Sequence, residues 1–153
     1  MDIRQGYKIE NPSIIVPMRI TPGFLKCLFA GHPLKMIAPD YFVAECTSLS
    51  GLKHNLGFHF SPIFPWAFAL HRRLCRLEFF RTEDDPLQPP ELQARSFADF
   101  QTRLETAFGS PTKSTAGSEG FPNHEWLFDN ITVRHSVYER FVLSEGVGIY
   151  LNS

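Results

Sequence analysis

The residues with the widest chemical range in this chain are its histidines. His54 and His59 lie five apart and His124 and His135 eleven apart, close enough for two strands to bring either pair together as metal ligands. Neither spacing is diagnostic of a metal site, and five apart on a strand sends two side chains to opposite faces unless a bulge intervenes. A histidine in a turn or at the surface is the ordinary reading of each. His135 differs, because it alternates with Ile131, Val133 and Val137 on an apolar face. As a general base in a small cleft it would work with Glu125, Glu139 or Arg134. As a core-edge residue it would hydrogen-bond to a neighbour, and this simpler reading is preferred.

Other catalytic signatures are missing. The chain has no G-x-x-x-x-G-K-[ST], G-x-G-x-x-G, G-x-S-x-G or H-E-x-x-H pattern. No catalytic residue, metal site or cofactor is therefore assigned. Cys27, Cys46 and Cys75 are odd in number, form no C-x-x-C pair and sit in apolar stretches, where buried free thiols are expected. Reduced thiols point to the cytoplasm. The apolar run Ile14-Ile15-Val16 is too short for a signal-peptide core, and no stretch reaches the ~20 apolar residues of a membrane span. A net charge of −1 argues against nucleic acid as a partner. Arg72, Arg73 and Arg76 form the densest basic cluster, read as the solvated side of a strand.

The elements that must position these groups follow from periodicity. At 153 residues, 43% apolar and 20% charged, the chain suits a single α+β domain over 1–153. Its fifteen phenylalanines suggest a core built on rings. Ser13 to Ile20, broken by Pro17, reads as an edge strand. Thr21-Pro22 opens a short helix carrying Phe24, Leu25, Leu28 and Phe29, which Gly31 ends. Phe42, Ala44 and Cys46, then Leu56, Phe58 and Phe60, alternate as two strands joined by a turn from Ser48 to Asn55. Leu74 to Arg81 reads as a strand, and Thr82 to Glu91, with three prolines, as an extended loop.

A second helix is predicted from Ser96, with Asp99 completing a capping box and Phe97, Phe100, Leu104, Ala107 and Phe108 on one face, until Gly109 and Pro111 stop it. Gly117 to Asn123 reads as a loop. Trp126 and Phe128 lead into Asp129-Asn130, a two-residue hairpin signal, and a last strand carries Val147, Ile149 and Leu151 after a turn at Ser144 to Gly146. No internal repeat is apparent, although both halves run helix then hairpin. The expected architecture is an antiparallel sheet of about five to seven strands with two main helices packed on one face.

From Ser96 onward the chain resembles small bacterial immunity proteins of type VI secretion and related polymorphic-toxin systems. The residues that carry the likeness are Ser96-Phe97-Ala98-Asp99-Phe100, Leu104, Phe108-Gly109-Ser110-Pro111, His124-Glu125-Trp126, Val133, His135 and Glu139-Arg140-Phe141. The resemblance implies a cytosolic protein that binds one cognate toxin and blocks it without catalysis of its own. It carries over no individual residue as a contact.

Taken together, these features favour a non-catalytic protein-binding module, an immunity protein with a toxin as partner and no membrane or nucleic-acid association. The partner-binding candidates are Phe64 and Trp66 in an aromatic, proline-punctuated segment, the acidic loop Glu83, Asp84 and Asp85, and Tyr138. Two alternatives stand beside it: a small enzyme using His135 with Glu125 or Arg134, and a ligand-binding domain with an aromatic pocket.

Overall fold

Thr21 and Pro22 start a helix as their chemistry dictates: the Thr21 hydroxyl accepts from the Phe24 N–H at 3.3 Å, and Pro22 takes the first helical position. This is α1 (Pro22–Leu28), and the chain leaves it through Gly31 at φ +83°. Two strands precede it, β1 (Tyr7–Ile9) and β2 (Ile14–Val16), and four follow: β3 (Lys35–Ala38), β4 (Tyr41–Ser48), β5 (Leu52–Phe60) and β6 (Leu74–Phe80). The second half repeats that order, with α2 (Pro90–Phe108), β7 (Lys113–Ala116), β8 (Pro122–Phe128), β9 (Ile131–Glu139) and β10 (Leu143–Leu151). The computed structural model describes residues 1–61, 72–80, 90–117, 120–139 and 143–152, with the side chains of 90–96, 139, 143 and 144 left aside.

The fold is α+β and antiparallel. Eight strands form one sheet in the order β3-β4-β5-β6-β10-β9-β8-β7, and β1 pairs with β2 in a separate two-stranded sheet. Each helix thus precedes a four-stranded antiparallel run, and the last strand of each run meets the other at the sheet centre, with Leu77 opposite Ile149. The helix-then-hairpin order of both halves was legible in the residues; the meeting of the two runs through β6 and β10 is the tertiary fact.

One face of this sheet is the core. Phe42, Leu56, Phe58, Leu77, Phe79, Ile149, Val133 and Trp126 point into it and are buried. Both helices and the β1–β2 hairpin pack there. Phe29 at the end of α1 meets Phe58 edge-on at 5.6 Å, Phe100 of α2 meets Phe79 at 5.9 Å, and Tyr7 of β1 meets Phe79 at 5.5 Å. The Trp126 indole donates to the Gly109 carbonyl at 2.7 Å, which fastens the end of α2 to β8.

Several expectations are corrected. Among the described residues ten strands stand where about five to seven were expected, because β1, β3 and β7 are four residues or fewer and carry little alternation to read. The second helix begins at Pro90, so Ser96 lies inside it and Asp99 pairs with Arg103 one turn on, at 2.9 Å, instead of completing a capping box. Pro90 suits a first helical turn and Glu91 to Arg95 are good helix formers, so the helix takes in the last two residues of the loop expected over Thr82 to Glu91, whose residues 82–89 lie outside the described residues.

The turn expected from Ser48 to Asn55 shrinks to Leu49, Ser50 and Gly51, all at positive φ (51°, 62° and 87°), and His54 joins a strand. Two non-glycine residues in that region cost energy. The turn is held from both sides: the Glu10 carboxylate accepts from the Ser50 and Gly51 N–H groups at 2.9 Å each, while Arg103 donates to the Leu49 and Ser50 carbonyls. At the other end, β8 begins at Pro122 within the expected loop, and β10 already runs through Ser144 to Gly146. The Asp129-Asn130 hairpin is as read, with Asp129 at φ +45°.

Candidate functional site

Two histidines are buried in the core face: His54, expected in a turn, and His135, expected at the core edge. His54 belongs to a chain of hydrogen bonds with Tyr7 and Ser48. Its Nδ1 faces the Asn55 carbonyl at 3.3 Å and its Nε2 lies 2.6 Å from the Ser48 hydroxyl, which in turn meets the Tyr7 hydroxyl. Burial pushes His54 down to about 4, so the ring is neutral: Nδ1–H donates to the carbonyl, Ser48 donates to Nε2, and Tyr7 donates to Ser48. A serine beside an imidazole is the start of a nucleophilic pair. Here Ser48 and Tyr7 are fully buried and His54 nearly so, so no substrate reaches the hydroxyl. The chain instead pins the β1–β2 hairpin onto β4.

His135 is likewise buried. Its Nδ1 meets the Gln101 side-chain oxygen and its Nε2 meets Glu145, each at 2.7 Å, and Phe97 of α2 stacks on the ring at 4.0 Å. This matches the core-edge reading. It corrects the enzyme alternative: Glu125 and Arg134 are cross-strand partners of each other on the opposite face, bonded at 2.9 Å, and neither lies with His135. His124 does stand opposite His135 across β8–β9, with its Nδ1 2.9 Å from the Ser114 hydroxyl and its titration lowered by burial and by His135. Among the described residues no three of His, Cys, Asp and Glu converge as metal ligands.

The other face of the sheet is different in kind. Strand alternation puts Tyr41, His59, Arg76, Tyr150, Thr132 and Leu127 in one row across it, and Val43, Gly57, Glu78, Gly148, Arg134 and Glu125 in the next. His59 therefore faces away from His54, as a five-residue spacing on an unbulged stretch requires. Glu78 Oε2 takes hydrogen bonds from His59 Nε2 and the Arg76 guanidinium, both at 2.8 Å, and Tyr41 stacks on His59 at 4.3 Å. Burial and the Arg76 charge outweigh Glu78 and hold His59 below its ordinary range.

Glycines give this face its relief. A Cβ on Gly57 would strike Phe80 and Tyr41, one on Gly146 would strike Tyr138, and one on Gly148 would strike Tyr150, each at 2.9 to 3.0 Å. Rings thus lie against bare backbone, where a glycine permits the close approach, and leave an aromatic surface. Phe80 is 37% exposed, Tyr138 47% and Leu127 51%. The Arg76 and Arg134 guanidiniums sit 6.0 and 5.5 Å from the Tyr150 ring centre. Both helices and the β1–β2 hairpin lie on the far side of the sheet.

At four described thiols and phenols burial works against nucleophile activation. Burial raises the thiols of Cys46, to about 12, and of Cys75, and it raises the phenols of Tyr7 and Tyr41. Cys27, expected to be buried, is exposed on α1.

Neither protein-family models, nor characterised proteins, nor solved structures yield a match to this chain.

Of the partner-binding candidates, Tyr138 lies on that face and is exposed. Phe64, Trp66, Glu83, Asp84 and Asp85 lie outside the described residues. Trp126 packs in the core. Sequence reasoning missed the His59–Glu78–Arg76 cluster and the Tyr150 surroundings, because they join three strands far apart in the chain. The one signal was the alternation of Arg76 and Glu78 against Leu77 and Phe79. A groove among Gln5, Lys8, Glu10, Ser50 and Thr106 is lined by no aromatic ring, unlike the pocket the ligand-binding alternative called for. No helix among the described residues is long and apolar enough to cross a membrane.

Proposed function

We propose that this chain is a non-catalytic protein-binding module, and most concretely a cytoplasmic immunity protein that binds and neutralises a cognate antibacterial toxin of a type VI or related secretion system. The observation that carries the binding reading is the open face of the eight-stranded sheet, where Tyr138, Tyr150, Phe80, Arg76 and Arg134 crowd a surface floored by Gly57, Gly146 and Gly148. Tyrosine and arginine are residues in which binding energy concentrates, since each offers contact area and directed donors. The upward shift of the buried thiols and phenols supports a role without a covalent step. The toxin assignment rests on the resemblance of the segment from Ser96 onward, and the proposed contacts are Tyr138 on this face together with Phe64, Trp66, Glu83, Asp84 and Asp85, which lie outside the described residues.

The sheet edges do not compete as the docking site. β3 is four residues long, carries Lys35 and has a register shift between Met36 and Ala38, and β7 is four residues with Lys113. Short strands, lysines and irregular pairing are the devices that keep an edge from accepting another strand. The test is co-purification with the product of the gene next to this one. A complex that survives gel filtration and is lost on Tyr138→Ala is expected; no complex at micromolar concentrations sinks the proposal.

A further inference from the structure

The three described glycines of the open face differ in what excludes a side chain from them. At Gly57 the Cβ position is blocked from both neighbouring strands, by Phe80 and Tyr41, and at Gly148 it is blocked by Tyr150 of the same strand. At Gly146 one ring from the next strand does it: Tyr138 Cε1 lies 2.9 Å from where the Cβ would be, while the Ser136 hydroxyl keeps an ordinary 3.8 Å. Carbon atoms pack at about 3.5–4.0 Å, so the ring fills the space a side chain would take. The register brings them together. Gly146 stands opposite Ser136 and Tyr138 opposite Ser144, which makes ring and glycine diagonal neighbours across β9 and β10. The backbone does not call for glycine there, since Gly146 is not at positive φ, and a glycine inside a strand weakens it. Tyr138 is the most exposed of the described rings on this face, at 47%.

We infer that Gly146 is the positioning residue of the interface: by lacking a side chain it seats the Tyr138 ring against β10 and fixes, before any partner arrives, the orientation in which the ring is presented. This rests on the protein-binding reading and deepens it, because a ring already held loses less freedom on binding. A methyl group at position 146 displaces the ring and not the sheet, since the atom it strikes is at the far end of an exposed side chain.

The experiment has two arms, both on the full chain. In the free protein, nuclear Overhauser contacts between the Gly146 Hα protons and the Tyr138 ring are expected, and Gly146→Ala should abolish the close approach while leaving the circular dichroism spectrum and the urea midpoint unchanged or raised. In the complex with the product of the neighbouring gene, titration calorimetry should show Gly146→Ala weakening binding roughly fivefold to tenfold. Tyr138→Leu keeps an apolar side chain without the ring. In that background Gly146→Ala should change the affinity by less than about twofold, because the group it acts through is gone. Equal weakening in both backgrounds overturns the inference, as it would place the effect in the backbone. So does a native chain without the ring contact, a Gly146→Ala chain that binds as tightly as the native one, or one that loses its fold, which would mean that the sheet gives way and not the ring. Any of these with the native complex intact removes the role of Gly146 alone. No complex with the native chain removes the protein-binding reading, and the interface role of Gly146 with it, even where the ring contact is seen.

Discussion

Lowering the pH should destabilise this fold through one residue in particular, His54. Its ring is neutral and buried in the Tyr7–Ser48 chain with its titration held near 4, whereas in the unfolded chain it titrates at about 6.5. Above pH 6.5 both states are neutral and the residue contributes no pH dependence. Between 6.5 and 4 the unfolded state takes a proton that the folded state refuses, so stability falls with falling pH, and the fall levels off below 4. At 1.36 kcal/mol per pH unit the loss attributable to His54 is about 1 kcal/mol by pH 5.5 and about 2 kcal/mol by pH 4.5. Against a total on the order of 5–15 kcal/mol for a domain, that is a measurable share.

The assay is urea unfolding at pH 7.0, 5.5 and 4.5, followed by the fluorescence of buried Trp126, on the native chain and on His54→Leu. His59 and His124 are also lowered, so the native chain loses more than the His54 share alone. The difference in slope between the two proteins isolates it. The variant begins less stable, because the Ser48 hydroxyl loses its acceptor, but its stability should fall less steeply with acid. Equal pH slopes in the two proteins would refute the buried neutral imidazole and with it the direction of the hydrogen-bond chain.

Two further predictions test the packing. Leu104→Ala should cost about 2–5 kcal/mol, since Leu104 is fully buried where α2 covers the sheet, and an unfolding midpoint unchanged in urea would mean that α2 is misplaced. Arg103→Ala should cost about 1–3 kcal/mol, because one guanidinium holds Asp99 and both carbonyls of the strained Leu49–Ser50 turn. Arg103→Lys should recover only part of it, as one ammonium lacks the fork, and full recovery would argue that charge alone supports the turn.

Local chemistry was legible wherever a residue's own backbone preference decides the outcome. Thr21-Pro22, Gly31, Gly109 and Asp129-Asn130 start or stop elements as their side chains dictate, and the alternation of Phe42 to Cys46, Leu56 to Phe60 and Ile131 to Val137 identified the inward face. The misreadings fall where long-range partners outweigh local preference. Ser48 and His54 read as turn residues because nothing nearby satisfies them, but Tyr7, forty-one residues from Ser48, completes the chain that lets them be buried in strands. Ser96 reads as a cap because the helix ahead of it begins at a proline.

The candidate site shows the same division more sharply. Residue types and alternation alone settled that this is an antiparallel α+β chain with Ile131 and Val133 inside, since both follow from period and propensity over a few consecutive residues. That Arg76, Glu78, His59, Arg134 and Tyr150 share one surface was decided only when β6 and β10 met at the centre of the sheet. That pairing sets residues seventy-two apart, Leu77 and Ile149, side by side, and no spacing within either strand encodes which distant strand will lie beside it.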